Sequence, residues 1–130
     1  MNTFKVLLVD DQPVVLTLIK LCLYESGVQS VVEASDHSQA IKLLNDDKFD
    51  LVISSLNIPH MTGLNILNYI KSNSNLSSIP LVMMTSARQL AEVPELKNKD
   101  VAGYIMKPFT RESVMGVVES VVGDASAIRM

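Results

Sequence analysis

Five short apolar runs, each followed by a segment with helical spacing of apolar residues, constrain this chain more than any other feature. The first run, Val6–Val9, is apolar without interruption, which is typical of a strand buried on both faces. The other predicted strands are Val28–Glu33, Leu51–Ile53, Leu81–Met84 and Gly103–Met106. Strands that alternate with helices predict a doubly wound α/β domain, with one five-stranded parallel sheet and helices on both faces.

The intervening segments carry signals for the beginning and end of helices. We expect the first helix to begin near Pro13, with Asp11 as its cap, and to end at Gly27. The other helices are expected after a Ser35 or Asp36 cap, after a loop at 57–63, within 88–97 where Pro94 interrupts the pattern, and over about 111–122.

The composition fits one intracellular domain. Of the 130 residues, 48% are hydrophobic, which is enough for a core, and the single cysteine, Cys22, excludes an internal disulfide and fits a reducing compartment. The net charge of -3 and the scattered Lys and Arg residues argue against a nucleic-acid-binding surface. No apolar run is long enough to cross a bilayer. We therefore expect a cytoplasmic domain over residues 1–123, followed by a C-terminal tail at 124–130.

Polar residues stand at the ends of four predicted strands. They are Asp10-Asp11, Ser54-Ser55, Thr85-Ser86 and Lys107-Pro108. In a doubly wound sheet, ligands bind beyond the carboxyl ends of the strands. Two adjacent carboxylates repel each other unless a cation lies between them, and Mg²⁺ is held by one or two carboxylates and several waters. An acidic pair, a hydroxyl and a lysine at one rim therefore predict a pocket that handles an anion.

Four segments resemble the receiver domain of two-component response regulators. They are Val6–Pro13, Asp50–Gly63, Met84–Ala87 and Lys107–Phe109. The segments occur in the order and spacing of that family, and the resemblance extends from about Phe4 to Val122. It implies a flavodoxin-like, three-layer αβα fold of the CheY type and a place in two-component or phosphorelay signalling.

The resemblance implies a magnesium site at the ends of the first and third strands. Asp10 and Asp11 match the acidic pair that organises Mg²⁺ in the family. Asn57 matches the position whose backbone carbonyl completes the metal site.

The resemblance also implies a switch at the ends of the fourth and fifth strands. Thr85 matches the hydroxyl that moves toward the phosphoryl group, and Tyr104 matches the aromatic residue that turns inward when the hydroxyl moves. Lys107 matches the lysine that contacts the phosphoryl group, and its bond to Pro108 is expected to be cis.

Ser55 occupies the position of the phosphate-accepting aspartate, two residues before Asn57. Pro59 and Gly63 fix this alignment, and the nearest acid in the strand, Asp50, lies roughly 16 Å away along an extended chain. A serine hydroxyl is a weak nucleophile at neutral pH and needs an adjacent base. Serine also removes a charged metal ligand, so we expect no aspartyl phosphorylation and only weak Mg²⁺ binding.

These residues favour a binding module and not an enzyme. The leading hypothesis is a stand-alone pseudo-receiver, which keeps the fold and signals by docking onto another protein without phosphate. The resemblance implies a docking surface made by the fourth helix, the fifth strand and the fifth helix. The expected partner is a histidine kinase, a motility component, a regulatory protein or a second copy of the chain, and no residue pattern indicates nucleic acid or a membrane.

Two other hypotheses stay open. In the first, the chain takes part in phosphotransfer, and Ser55 itself is phosphorylated to give a stable ester. In the second, Ser55 is an engineered replacement that silences an ordinary response regulator, or the chain is one domain cut from a longer regulator.

Overall fold

In the computed structural model, the described backbone comprises residues 4–58, 61–92 and 100–122, with side chains at the same positions except 57–58 and 61–64. The strands are β1 (Lys5–Val9), β2 (Ser30–Ala34), β3 (Leu51–Ser55), β4 (Asn57–Ile58), β5 (Met61–Thr62), β6 (Leu81–Ser86) and β7 (Gly103–Lys107). The helices are α1 (Pro13–Glu25), α2 (His37–Asp46), α3 (Gly63–Ser72), α4 (Ala87–Glu92) and α5 (Arg111–Val122). None of the described helices has the length and apolar character needed to cross a membrane.

The main sheet has five strands in the order β2-β1-β3-β6-β7, and all neighbouring strands are parallel. The predicted doubly wound α/β fold is therefore confirmed. The chain passes from β1 to β2 on one side and then returns to β3 on the other side. This reversal leaves a crevice beyond the carboxyl ends of β1 and β3, which is where ligands bind in sheets of this kind.

Two apolar clusters, one on each face of the sheet, form the core and give the domain its three layers. Successive residues of a strand point to opposite faces, so Leu7 and Val9 join one cluster while Val6 and Leu8 join the other. The first cluster contains buried residues of α2 and α3, and the second contains buried residues of α1 and α5. All four of these β1 side chains are fully buried, as the uninterrupted apolar run predicts.

The predicted cap of α2 and the predicted stop of α1 are correct, but the predicted cap of α1 is wrong. Asp36 caps α2, and its side chain accepts a hydrogen bond from the backbone N–H of Gln39. Gly27 follows α1 with a φ of 105°, a left-handed conformation that favours glycine. The cap residue of α1 is Gln12, not Asp11, and it makes no side-chain capping bond.

The segment predicted as a loop at 57–63 contains a small antiparallel pair of strands. Asn57 lies opposite Thr62, and Ile58 lies opposite Met61, so β4 and β5 form a separate two-stranded sheet. Gly63 begins α3. Turn residues mark a reversal of the chain but do not distinguish an open loop from a short hairpin. Pro59, Pro94 and the predicted tail at 124–130 lie outside the described residues.

Candidate functional site

The register of β1 and β3 brings Asp10 and Ser55 to the same crevice. Val9 lies opposite Ser54, so the residue after each of them stands at the carboxyl end of two neighbouring strands. Asp10 is 1% exposed and Ser55 is 5% exposed. The site therefore begins with a buried carboxylate next to a buried serine.

The other two strands of this half of the sheet add a hydroxyl and a cation to the same edge. Ser55 lies opposite Met84, so Thr85 extends β6 just beyond this pair. Ser86 lies opposite Lys107 at the ends of β6 and β7. The structure thus gathers the predicted Asp10, Ser55, Thr85 and Lys107 at one edge of the sheet.

Asp10 uses its two carboxylate oxygens differently. Its Oδ1 accepts a hydrogen bond of 2.8 Å from the backbone N–H of Gln12. Its Oδ2 is buried and has no hydrogen-bond partner among the described residues. It lies 3.8 Å from Nζ of Lys107, a distance that suits charge attraction but not a hydrogen bond. A buried carboxylate oxygen in this state is suited to a cation or to an additional donor.

Burial raises the pKa of Asp10 above the ordinary value for an aspartate, because the charged form loses hydration. The hydrogen bond from Gln12 and the charge of Lys107 act in the opposite direction, and the neighbouring charge of Asp11 adds to the rise. The net effect shows that Lys107 compensates the buried carboxylate only in part. Asp11, the second member of the predicted acidic pair, is exposed.

Ser55 places a neutral hydroxyl where a third carboxylate would complete an acidic cluster. The hydroxyl of its neighbour, Ser54, donates a 3.0 Å hydrogen bond to the carbonyl oxygen of Ser55. Across the described ranges, no three or more His, Cys, Asp or Glu side chains are grouped to hold a metal ion. The predicted third ligand, Asn57, is the first residue of β4, and its side chain is not described.

Thr85 has no exposed surface, and its hydroxyl donates a hydrogen bond of 3.1 Å to Oε1 of Gln89 in α4. Gln89 is a site residue that was not predicted from the sequence. A signal was present, because Ser86 and Gln89 have the spacing of a helix-capping pair, Ser-x-x-Gln. The pattern predicts a helix start but gives no indication that the glutamine also contacts Thr85.

Tyr104 and Lys107 are both partly exposed. Tyr104 packs against the apolar cluster that contains the buried residues of α2 and α3. The side chain of Lys107 is 32% exposed, and its bond to Pro108 is cis, as predicted. The predicted switch residues therefore lie on two adjacent strands, β6 and β7, with Tyr104 opposite Met83 in the register.

The large apolar side chains that are exposed in the described part of the chain all lie on α1. They are Val14, Leu18, Leu21 and Tyr24, and Val14 is the most exposed at 70%. A shallow, mostly apolar depression of about 250 Å³ includes Val14 and Leu18 among its lining residues. The docking surface predicted from the resemblance lies elsewhere, on the fourth helix, the fifth predicted strand (β7) and α5.

Known proteins similar to this chain are receiver domains and chemotaxis proteins. A family model for the response regulator receiver domain matches residues 6–119. The chemotaxis protein CheY of Pseudomonas aeruginosa is 30% identical over 117 residues, which cover 90% of this chain and 94% of that relative.

Solved structures have the same fold. The chemotaxis response regulator CheY4 of Vibrio cholerae has a TM-score of 0.83 at 27% identity, over 92% of this chain and 99% of the other. The receiver domain of the sensor histidine kinase PA1611 from Pseudomonas aeruginosa has a TM-score of 0.81, over 95% of this chain and 100% of the other. Its structure holds a magnesium ion coordinated in the active-site cleft, and at 22% identity the likeness concerns the fold alone.

Proposed function

This chain belongs to the response regulator receiver domain family, and we propose that it is a pseudo-receiver, a cytoplasmic signalling module that docks onto a protein without aspartyl phosphorylation. The observation that carries the proposal is Ser55, which lies buried at the carboxyl end of β3 beside Asp10. This is the position at which the resemblance to receivers implies the acceptor aspartate. A chain without that carboxylate cannot form the acyl phosphate on which receiver signalling depends.

The chemistry of the two side chains supports this proposal. An aspartate is ionised at neutral pH and attacks a phosphoryl group directly, whereas a serine hydroxyl must first lose its proton to a base. Asp10 holds the backbone N–H of Gln12 with one oxygen, and its other oxygen faces Lys107. Asp10 and Lys107 therefore partly balance each other's charge beside Ser55.

Mg²⁺ fits the pocket, but with fewer charged ligands than a receiver with an acceptor aspartate would offer. Asp10 and Asp11 would hold the ion, together with the backbone carbonyl of Asn57, and the buried Oδ2 of Asp10 has no hydrogen-bond donor in the described part of the chain. When bound, the ion neutralises negative charge at the rim. Two carboxylates in place of three support a lower affinity, since ligand charge is a main determinant of binding to a hard cation.

The partner we propose is another protein, with a histidine kinase, a motility protein and a regulatory protein as the candidates. The docking surface that we propose is formed by α4, β7 and α5, as the resemblance implies. Thr85 and Lys107 lie at the carboxyl ends of β6 and β7, and Thr85 contacts α4 directly, which supports communication between the pocket and this surface. In this role the chain performs no catalysis of its own.

A second function, phosphorylation of Ser55 itself, is favoured by the state of Asp10. Asp10 is adjacent to Ser55 at the strand ends, its Oδ2 has no hydrogen-bond donor, and burial raises its pKa. A carboxylate with a raised pKa is a better base than an ordinary aspartate. The product would be a phosphate ester, which is far more stable to hydrolysis than an acyl phosphate.

Intact-mass measurement after incubation with Mg²⁺ and a small phosphodonor separates the two functions. The parent chain is compared with Ser55→Asp, which restores the acceptor carboxylate, and with Ser55→Ala, which removes every nucleophile at this position. We expect one added phosphoryl group on Ser55→Asp and none on the parent or on Ser55→Ala.

A phosphoryl group on the parent that is absent from Ser55→Ala would contradict the proposal and establish Ser55 as the acceptor. The two products also differ in stability. The ester on serine survives mild base, whereas the acyl phosphate on Ser55→Asp is hydrolysed. Failure of Ser55→Asp to accept phosphate would show that more than Ser55 separates this pocket from that of an active receiver.

A further inference from the structure

The hydroxyl of Thr85 is already committed to a partner on α4. It donates its one hydrogen to Oε1 of Gln89 at 3.1 Å, and Thr85 is completely buried. A threonine hydroxyl has a single hydrogen to donate. While this bond exists, Thr85 cannot donate to a ligand or to another group in the pocket.

Gln89 also contributes to the beginning of α4. Its backbone N–H donates a 3.1 Å hydrogen bond to Oγ of Ser86, the residue before the helix. Its Oε1 lies 3.5 Å from the same Oγ, at the outer limit of a hydrogen bond. One side chain therefore links the end of β6 to the first turn of α4 through Thr85 and Ser86.

The described part of α4 is not embedded in the core. α4 has six residues, and none of them is buried. Leu90 is partly buried and packs against the apolar cluster on that face of the sheet. The ion pair between Arg88 and Glu92 lies within the helix and is exposed, so it contributes little and does not connect α4 to the sheet.

We propose that Gln89 is a positioning residue that couples the state of Thr85 to the position of the first turn of α4. The coupling rests on the proposed function, because it concerns how the receiver pocket communicates with the docking surface. Movement of Thr85 toward the pocket breaks its bond to Gln89 and frees the start of α4. By linkage, a partner that displaces α4 releases the Thr85 hydroxyl, and no phosphate is needed.

The chain contains a matched control for this contact at the start of α2. Oε1 of Gln39 accepts hydrogen bonds from the backbone N–H and the hydroxyl of Ser35, at 2.8 and 3.1 Å. The backbone N–H of Gln39 donates to the cap residue Asp36. Gln39→Ala therefore removes a glutamine from the same helical position without touching Thr85.

The test is a double-mutant cycle of Thr85→Val and Gln89→Ala, read by amide hydrogen exchange of residues 89–92 without Mg²⁺ or phosphodonor. Each single variant should raise the exchange rates about fivefold to tenfold, since a net hydrogen bond contributes on the order of 1 kcal/mol. The double variant should exchange no faster than Gln89→Ala. Thr85→Ser, which keeps the donor, and Gln39→Ala should leave these rates at the parent level.

Parent-level exchange in Thr85→Val would overturn the proposal and reduce Gln89 to a cap of α4. Additive effects in the double variant would do the same. Thermal unfolding verifies that each variant is folded, and Thr85→Ser distinguishes loss of the hydroxyl from disturbance of a buried position. Because no phosphodonor is present, the outcome is independent of whether Ser55 accepts phosphate, which the mass measurement decides separately.

Discussion

Nζ of Lys107 lies 3.8 Å from Oδ2 of Asp10, so the lysine that ends β7 reaches the carboxylate that follows β1. In the sheet order, β3 and β6 lie between these two strands. β3 ends at Ser55, and β6 ends in Thr85-Ser86. The ion pair therefore connects the two strands that flank Ser55 and Thr85 at this edge of the sheet. An anion at this place must attract Lys107 away from Asp10, and a cation must compete with Lys107 for Asp10.

Asp10→Asn should stabilise the fold at neutral pH when Mg²⁺ is absent. Burial raises the pKa of Asp10 in the folded state. As pH rises, the unfolded chain therefore loses its proton first, and stability falls between the unfolded and the folded pKa. The amide that replaces the carboxylate is uncharged at every pH, and its oxygen can still accept from the N–H of Gln12. We expect a rise of a few degrees in Tm at pH 7.

The pH dependence distinguishes this effect from a simple change in packing. The advantage of Asp10→Asn should disappear below about pH 4, where the aspartate is protonated in both states. It should grow as pH rises and level off above the folded-state pKa. Asp11→Asn is the control, because Asp11 is exposed and should change Tm much less. An advantage that is the same at pH 3 and pH 7 would contradict the electrostatic explanation.

The sequence predicted the sheet well because the burial of a strand depends on the types of its own residues. The run Val6–Val9 is buried throughout, as an uninterrupted apolar segment requires. The strand ends then follow from topology, since parallel strands meet at one edge, and this brought Asp10, Ser55 and Thr85 together. Lys107 joined them through the length of its side chain and not through the register alone.

The features that were not predicted depend on details that residue type and spacing do not specify. Asp11 has a suitable side chain for a cap, but α1 begins one residue later, with Gln12 in the cap position. The side chain that holds the turn before α1 is that of Asp10, which accepts a hydrogen bond from the N–H of Gln12. The contact from Thr85 to Gln89 depends on a side-chain rotamer, which residue spacing does not specify. The hairpin of β4 and β5 depends on register, which turn residues alone leave open.

Gly103→Ala should destabilise the fold by about 1 kcal/mol, within the range for overpacking. A Cβ at this position would lie 3.0 Å from Cγ1 of Val117 and 3.1 Å from Cγ2 of Val121, both on α5. Valine in a helix has one strongly preferred rotamer, so neither side chain can turn away at low cost. Denaturant unfolding measures the loss.

Gly116→Ala is the matched control on α5. A Cβ there would meet no atom of the described residues within 4 Å, and the position is exposed. Alanine in a helix is favoured over glycine by roughly 0.5–1 kcal/mol, so this variant should be more stable than the parent. A lower free energy of unfolding for Gly103→Ala together with a higher one for Gly116→Ala would confirm the close approach of β7 and α5. A higher free energy of unfolding for both variants would contradict it.

Ile19→Ala and Leu18→Ala test which face of α1 belongs to the core. Ile19 has no exposed surface and packs in the cluster with α5, so its truncation should cost about 2–5 kcal/mol. Leu18 is 47% exposed, and its truncation should cost less than about 1 kcal/mol. Urea unfolding of both variants gives the comparison. A large loss for Leu18→Ala would mean that this face of α1 is covered in solution.

Ser55→Asp should make the thermal stability of the fold depend more strongly on Mg²⁺. Without the ion, a second carboxylate would be buried at the strand end next to Asp10, and two like charges in neighbouring buried positions oppose ionisation and destabilise the folded state. We therefore expect a lower Tm than the parent in chelator, and a larger increase in Tm on addition of Mg²⁺, because the ion binds only the folded pocket. Ser55→Asn is the uncharged control of nearly the same size and should show neither effect. If the parent gains as much from Mg²⁺ as Ser55→Asp does, Ser55 has not weakened the metal site, and loss of the acceptor would be its only effect on the pocket.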